Sequence, residues 1–268
     1  MQMLEGDRYR VVKTPDPALF RLCTTSIDGD VEEEVFRVHG IVCGKDLPPL
    51  PMNVTKLAKK RLFLRQSIRL TGLDDMHFAR AVEQVEEGFV KISMDAEGRE
   101  MDAYDWSNFN GRRILEASTR YFTHKSQAGG GSSVPFAEEV DPHGTLRALT
   151  MDGDFLHLQE NDVIYSERFI DTDKSIKRVS PSAFDVGDLV EASVAFVGVP
   201  TKRGSVTMKL VLRGLVLLDR QERMKGSVLR MRSRFTAPAP TATAVKRKAL
   251  FEDGEVEDTR RKLEKTFI

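Results

Sequence analysis

The chain has 268 residues, 40% of them hydrophobic and 31% charged, which is enough apolar material for a sizeable core and excludes global disorder. Its 41 basic residues balance 41 acidic ones, so no basic field of the whole protein argues for nucleic acid. No apolar run approaches the ~20 residues that span a bilayer, and the first ten residues (MQMLEGDRYR) lack a secretory pattern, so an intracellular protein without a membrane segment is expected.

The first fifty residues read as short strands and loops. Thr14-Pro15-Asp16-Pro17 and Asp28-Gly29-Asp30 are turn signals. Residues 18–23 and 34–43 are apolar enough for strands. Prolines at 48, 49 and 51 make a stiff connector. Cys23 and Cys43 are expected to be reduced thiols, as intracellular cysteines usually are.

Residues 59–70 alternate. Leu62, Leu64, Gln66, Ile68 and Leu70 fall on one face, and Arg61, Phe63, Arg65, Ser67 and Arg69 on the other. A helix stacks the three arginines but scatters the leucines, so the spacing predicts a strand with one basic face. Residues 74–87 predict a helix. Asp74 or Asp75 caps it, Phe78, Val82 and Val85 share a face, and Gly88 ends it. A hairpin over 89–94 and 101–106 is predicted next, around Asp95-Ala96-Glu97-Gly98. Residues 113–123 fit strand or helix, and Gly129 to Gly131 with Ser132 and Ser133 form a flexible loop.

From residue 143 onward the chain reads as successive strands, over 145–151, 155–159, 163–169 and 176–179. The clearest β signal follows at 184–219: two long strands joined by a turn at Thr201, Lys202, Arg203 and Gly204. Val190, Ala192, Val194 and Phe196 share one face of the first strand. Met208, Leu210, Leu212, Val216 and Leu218 share one face of the second. Glu191, Ser193, Thr207, Lys209 and Arg213 lie opposite, the pattern of half-buried antiparallel strands. After Asp219 the composition changes: a basic stretch, a Pro/Ala/Thr linker at 236–244, a second basic cluster and an acidic end.

The fold expected is β-dominated α+β, with antiparallel sheets or a partly open barrel, one main helix and a disordered tail. The predicted division is 1–127, a region of strands and a helix; 134–219, an antiparallel β region packed with the first; and a tail over 220–268.

No catalytic or cofactor motif is present. The five histidines are scattered and make no metal site. Asp171-Thr172-Asp173 opens like a calcium loop, but Ile176 and Ser182 stand where glycine and glutamate are needed. The triple glycine is not followed by Lys-Ser/Thr, so it is no phosphate loop. Asp102 and Asp105 lie three apart beside Trp106, as expected of a solvated hairpin. No cofactor or metal is expected, and a non-enzymatic module is read first, with an enzyme as the third reading.

Charge is segregated, and that carries the functional reading. Residues 56–69 hold six basic residues and no acidic one, whereas 138–173 hold ten acidic residues against Arg147 and Arg168. Arg61, Arg65, Arg69, Lys202, Arg203, Lys209 and Arg213 form a candidate phosphate-binding face for single-stranded or duplex nucleic acid, with Phe63 as a stacking residue. The competing reading pairs these cations with the acidic strands. A further alternative is a protein-interaction module working through its sheet edges and tail. Arg230, Arg232 and Arg234 with Lys246, Arg247 and Lys248 resemble a two-cluster nuclear localisation signal; a solubilising tail is the other reading, so nucleus and cytoplasm stay equally open.

Phe184-x-x-Gly187-Asp188-Leu189-Val190-Glu191, then Pro200, the basic turn and Leu212-Arg213-Gly214-Leu215-Val216-Leu217-Leu218-Asp219, resembles a group of uncharacterised proteins common in mushroom-forming fungi, over residues 141–219. The resemblance implies a fungal origin and says nothing about activity. The Gly187-Asp188 entry to a long strand is also similar to the first strand of OB-fold barrels.

Overall fold

A computed structural model describes residues 9–15, 18–26, 28–169, 175–221 and 223. All belong to one unit, Met1–Ser227; the proposed localisation clusters lie outside the described residues, as does most of the loop at 171–175.

The chain opens with strands β1 (Tyr9–Pro15) and β2 (Ala18–Thr25), paired antiparallel. β3 (Val31–Glu33) folds back on β2, and β4 (Val35–Asp46) buries Phe36, Val38, Gly40, Val42 and Gly44 at a period of two. A short helix α1 (Val54–Ala58), capped by the Asn53 side chain, leads to a 3-10 turn at Arg61–Phe63 and then to β5 (Arg65–Thr71). Helix α2 (Met76–Met94) follows, then β6 (Asn108–Phe109), β7 (Arg112–Arg113), β8 (Leu115–Arg120) and β9 (Thr123–His124). The chain continues through α3 (Thr145–Ala148), β10 (Phe155–Leu156), β11 (Ile164–Arg168) and β12 (Ile176–Arg178) to the long hairpin β13 (Leu189–Pro200) and β14 (Val206–Asp219).

Ten strands form one sheet in the order β12-β11-β14-β13-β4-β5-β8, with β2 also paired to β13 and carrying β1 and β3. The pairings are antiparallel except β11 with β14, which run parallel. The fold is thus β-dominated α+β, as its alternating segments predict. The sheet curls until β8 approaches β14, where the Thr119 hydroxyl donates to the Leu212 carbonyl. No strand ladder joins those two strands, so the curl stays short of a closed barrel.

Helix α2 packs against β13, β4 and β2. Its N-cap Asp75 accepts from the N–H groups of His77 and Phe78, satisfying donors that the first helical turn leaves free. Phe78, Ala81, Val85, Gly88 and Ile92 make its buried stripe. Gly88 lies inside the helix and not at its end: a Cβ there meets the Phe196 ring at 2.3 Å, so glycine lets helix and sheet approach. Phe196 in turn stacks on Phe36, with ring centroids 4.6 Å apart. The stripe continues past Gly88, and residues 89–94 are helix, not the first arm of a hairpin. The expected second arm, 101–106, contributes only a bridge from Met101 to Val206; Tyr104 and Trp106 pack edge to face, 4.7 Å apart.

Three further expectations are corrected. The strand expected at 59–70 begins only at Arg65, because residues 61–63 form a turn that Arg61 anchors. The strand expected at 145–151 is instead the short helix α3 followed by a turn, because the Asp141 carboxylate accepts from the N–H groups of Leu146 and Arg147. In the hairpin the ladder shifts at Ser193/Val194, with Ser193 opposite Gly214 and Val194 opposite Leu212. Arg213 is the extra residue of a β-bulge, and beyond it the buried side chains are Leu215 and Leu217, not Val216 and Leu218.

Candidate functional site

β13 and β14 pair Val197 with Lys209 and Val199 with Thr207. Alternation turns Phe196, Met208, Leu210 and Leu212 to the core under α2. The intervening residues Val197, Val199, Thr207, Lys209, Val211 and Arg213 therefore face the other way, where they form the floor of a groove of about 720 Å³. β2 supplies Leu19 and Arg21; β5 and β8 supply Arg65, Ser118, Thr119 and Arg120; the turn after β13 supplies Thr201 and Lys202. Six of the lining residues are cations (Arg21, Arg65, Arg120, Lys202, Lys209 and Arg213), and Glu160 is the one carboxylate.

Two of the six are neutralised within the protein. Arg213 donates through Nε and Nη2 to the two carboxylate oxygens of Glu33, at 2.7 and 2.8 Å, and through Nη1 to the Glu160 carbonyl. Arg21 donates to Glu33 and to Glu160, each at 2.6 Å. Burial pushes the Glu33 carboxyl up, but the hydrogen bond and charge of Arg213, with Arg21, outweigh it and leave Glu33 below its usual range. The other four, Arg65, Arg120, Lys202 and Lys209, have no carboxylate within ion-pair distance among the described residues. The groove is therefore locally positive in a chain of zero net charge.

The residues singled out by the sequence thus divide. Arg65, Lys202, Lys209 and Arg213 meet in the groove. Arg61 does not: its guanidinium donates to the Leu149 carbonyl and to Asp152, and lies 4.5 Å from the centre of the Phe155 ring. The hydrogen bond from Arg61 holds the Asp152 carboxyl below its ordinary value. Arg69 is exposed at the far end of β5, its guanidinium over Gly44, and Arg203 is exposed at the hairpin tip; neither lines the groove. Phe63, 78% exposed, lies outside it as well, and the lining contains no aromatic ring. Of these cations Arg61 pairs with a carboxylate of the acidic stretch 138–173, Asp152; Arg213 is neutralised from outside it, by Glu33, and Arg65, Lys202 and Lys209 make no ion pair among the described residues.

Arg21 and Arg120 escaped the sequence reading. Arg21 is set among apolar residues in β2. Arg120 lies where strand and helix could not be separated; the alternation of buried Leu115, Ala117 and Thr119 with Ser118 and Arg120 was its signal. Beside the groove, Asp102 accepts from the hydroxyls of Thr207 and Ser205, which with the charges of Arg203 and Lys209 hold its carboxyl below the ordinary value. Cys23 and Cys43 are free thiols. Among the described residues no cluster of three or more His, Cys, Asp or Glu is placed to hold a metal, and no helix is long and apolar enough to cross a membrane.

No family model and no curated protein matches the chain. Among solved structures it is similar to gp2.5, a single-stranded DNA binding protein encoded by bacteriophage T7, at 12% identity and a TM-score of 0.39, over 69% of this chain and 86% of that one. A likeness of that size bears on neither fold nor function.

Proposed function

We propose that the chain binds single-stranded nucleic acid through this groove. The observation that carries the reading is the set of four unneutralised cations, drawn from β5, β8, β14 and the turn before it, along one concave surface. Cations without counter-ions follow a phosphate backbone and release its condensed ions on binding. The volume of about 720 Å³ lies in the range of sites for drug-sized ligands, room for a few nucleotides of one strand. With no aromatic ring in the lining, stacking contributes little, and contacts to phosphates position a strand without reading its sequence.

Salt titration of a fluorescent single-stranded oligonucleotide tests this. Four phosphate contacts give a slope of roughly −3 in log K against log salt, or about a 50-fold loss of affinity from 50 to 200 mM. Affinity differs little between oligonucleotides of different sequence. Absence of binding at ~50 mM salt, where phosphate contacts are strong, sinks the proposal.

A further inference from the structure

The outward row of the β5–β8 ladder has three cross-strand pairs: Arg65 with Arg120, Ser67 with Ser118 and Arg69 with Glu116. At the far end an arginine faces a glutamate. At the groove end two arginines face each other. Directly opposed residues have Cβ atoms about 5 Å apart, and like charges there are destabilising. Both arginines are half-buried, and neither has a carboxylate within ion-pair distance among the described residues. Burial lowers the Arg65 guanidinium below its ordinary pKa, and the charge of Arg120 lowers it further, although a guanidinium keeps its proton at any physiological pH.

The geometry points to a subsite for one phosphate group between Arg65 and Arg120, a step that rests on the nucleic-acid reading and assigns the strand's tightest phosphodiester to this pair. An anion seated between two guanidinium forks converts their repulsion into charge-assisted, bidentate hydrogen bonds. Ser118, in the same outward row of the ladder and also on the groove lining, adds a hydroxyl donor. The pair is thus a local instability of the empty protein that its ligand relieves.

The test uses the full chain and the variants Arg65→Gln, Arg120→Gln, the double variant, and Lys202→Gln as a groove cation outside the pair. Oligonucleotide affinity is measured at ~50 mM salt, and thermal unfolding with and without inorganic phosphate. Each arginine variant is expected to lose about tenfold or more in affinity, as for a hydrogen bond to a charged group; Lys202→Gln loses roughly threefold, as for an exposed charge. The double variant loses little more than either single one, because both arginines hold the same phosphate. Without ligand both single variants unfold at a higher temperature than the parent. Inorganic phosphate raises the parent's midpoint but not theirs.

If the parent binds the oligonucleotide while the arginine variants behave like Lys202→Gln, the subsite is overturned and the groove reading stands. If the parent does not bind the oligonucleotide, the groove reading falls. The phosphate arm then decides the subsite alone: a shift lost in both variants keeps it, for a small phosphorylated compound, and no shift overturns it.

Discussion

Arg213 and Lys209 are four residues apart on β14 and both line the groove, yet they do different things. Arg213 is gripped by Glu33 and by the Glu160 carbonyl, with its side chain 17% exposed; Lys209 is exposed with no ion pair among the described residues. Arg213→Gln is therefore expected to lower stability by about 1.5–3 kcal/mol, the worth of hydrogen bonds to a charged group, as read by urea unfolding. Its affinity per folded molecule falls less than that of Lys209→Gln. Glu33 gives the same contact a pH signature. Its folded pKa lies below its unfolded value of about 4.3, so its contribution is complete above that value and is lost as pH falls through the lowered one. Acid unfolding followed from pH 6 to pH 2 is expected to show a shallower decline for Glu33→Gln than for the parent. A side chain's partner was the part of the site that the sequence could not supply. Arg61 and Arg65 sit at equal spacing on what looked like one strand, and only the fold shows that one meets Asp152 and the other meets Arg120.

Among the elements, α2 shows where local signals mislead. Glycine after an amphipathic run reads as a helix end, but Gly88 is in the contact face and its missing side chain is the point of closest approach to β13. Gly88→Ala gains about 1 kcal/mol of helix propensity but drives a methyl into Phe196, and overpacking of that kind costs roughly 1–3 kcal/mol. A net loss in the urea midpoint is expected, and Phe196→Leu in the same chain recovers part of it; if Gly88→Ala alone is stabilising, the contact is not as tight as described. The long hairpin was legible because alternation over twelve residues is hard to produce by any other structure. The bulge at Arg213 was not, since an inserted residue leaves the alternation intact on either side and only changes which face it refers to. The helix α3 was missed because its cap, Asp141, acts from four residues before the first helical position.

Over the whole molecule, zero net charge and a positive groove coexist because acidic residues neutralise selected cations and leave others alone. Binding should therefore follow position and not total charge. Lys209→Glu and Lys56→Glu change the net charge identically. The first places a carboxylate in the groove and is expected to cost tenfold or more at ~50 mM salt; the second, on α1 outside the lining, is expected to change affinity less than twofold. Equal effects in an anisotropy titration contradict a local site. Fold class was legible at this scale, from strands of period two and one strong helix. The groove was not, because it is assembled from β2, β5, β8 and β14, segments separated by up to two hundred residues and brought together only by the curl of the sheet.

Between β8 and β14 that curl is fastened by a threonine hydroxyl and not by a ladder. Parting these two strands breaks no ladder between them, so this seam is expected to open before the laddered parts of the sheet. Arg120 stands on one lip of the seam and Lys209 on the other. If the proposed reading holds, a bound nucleic-acid strand that spans both lips would act as a latch, and its residence time would be tied to how rarely the lips separate.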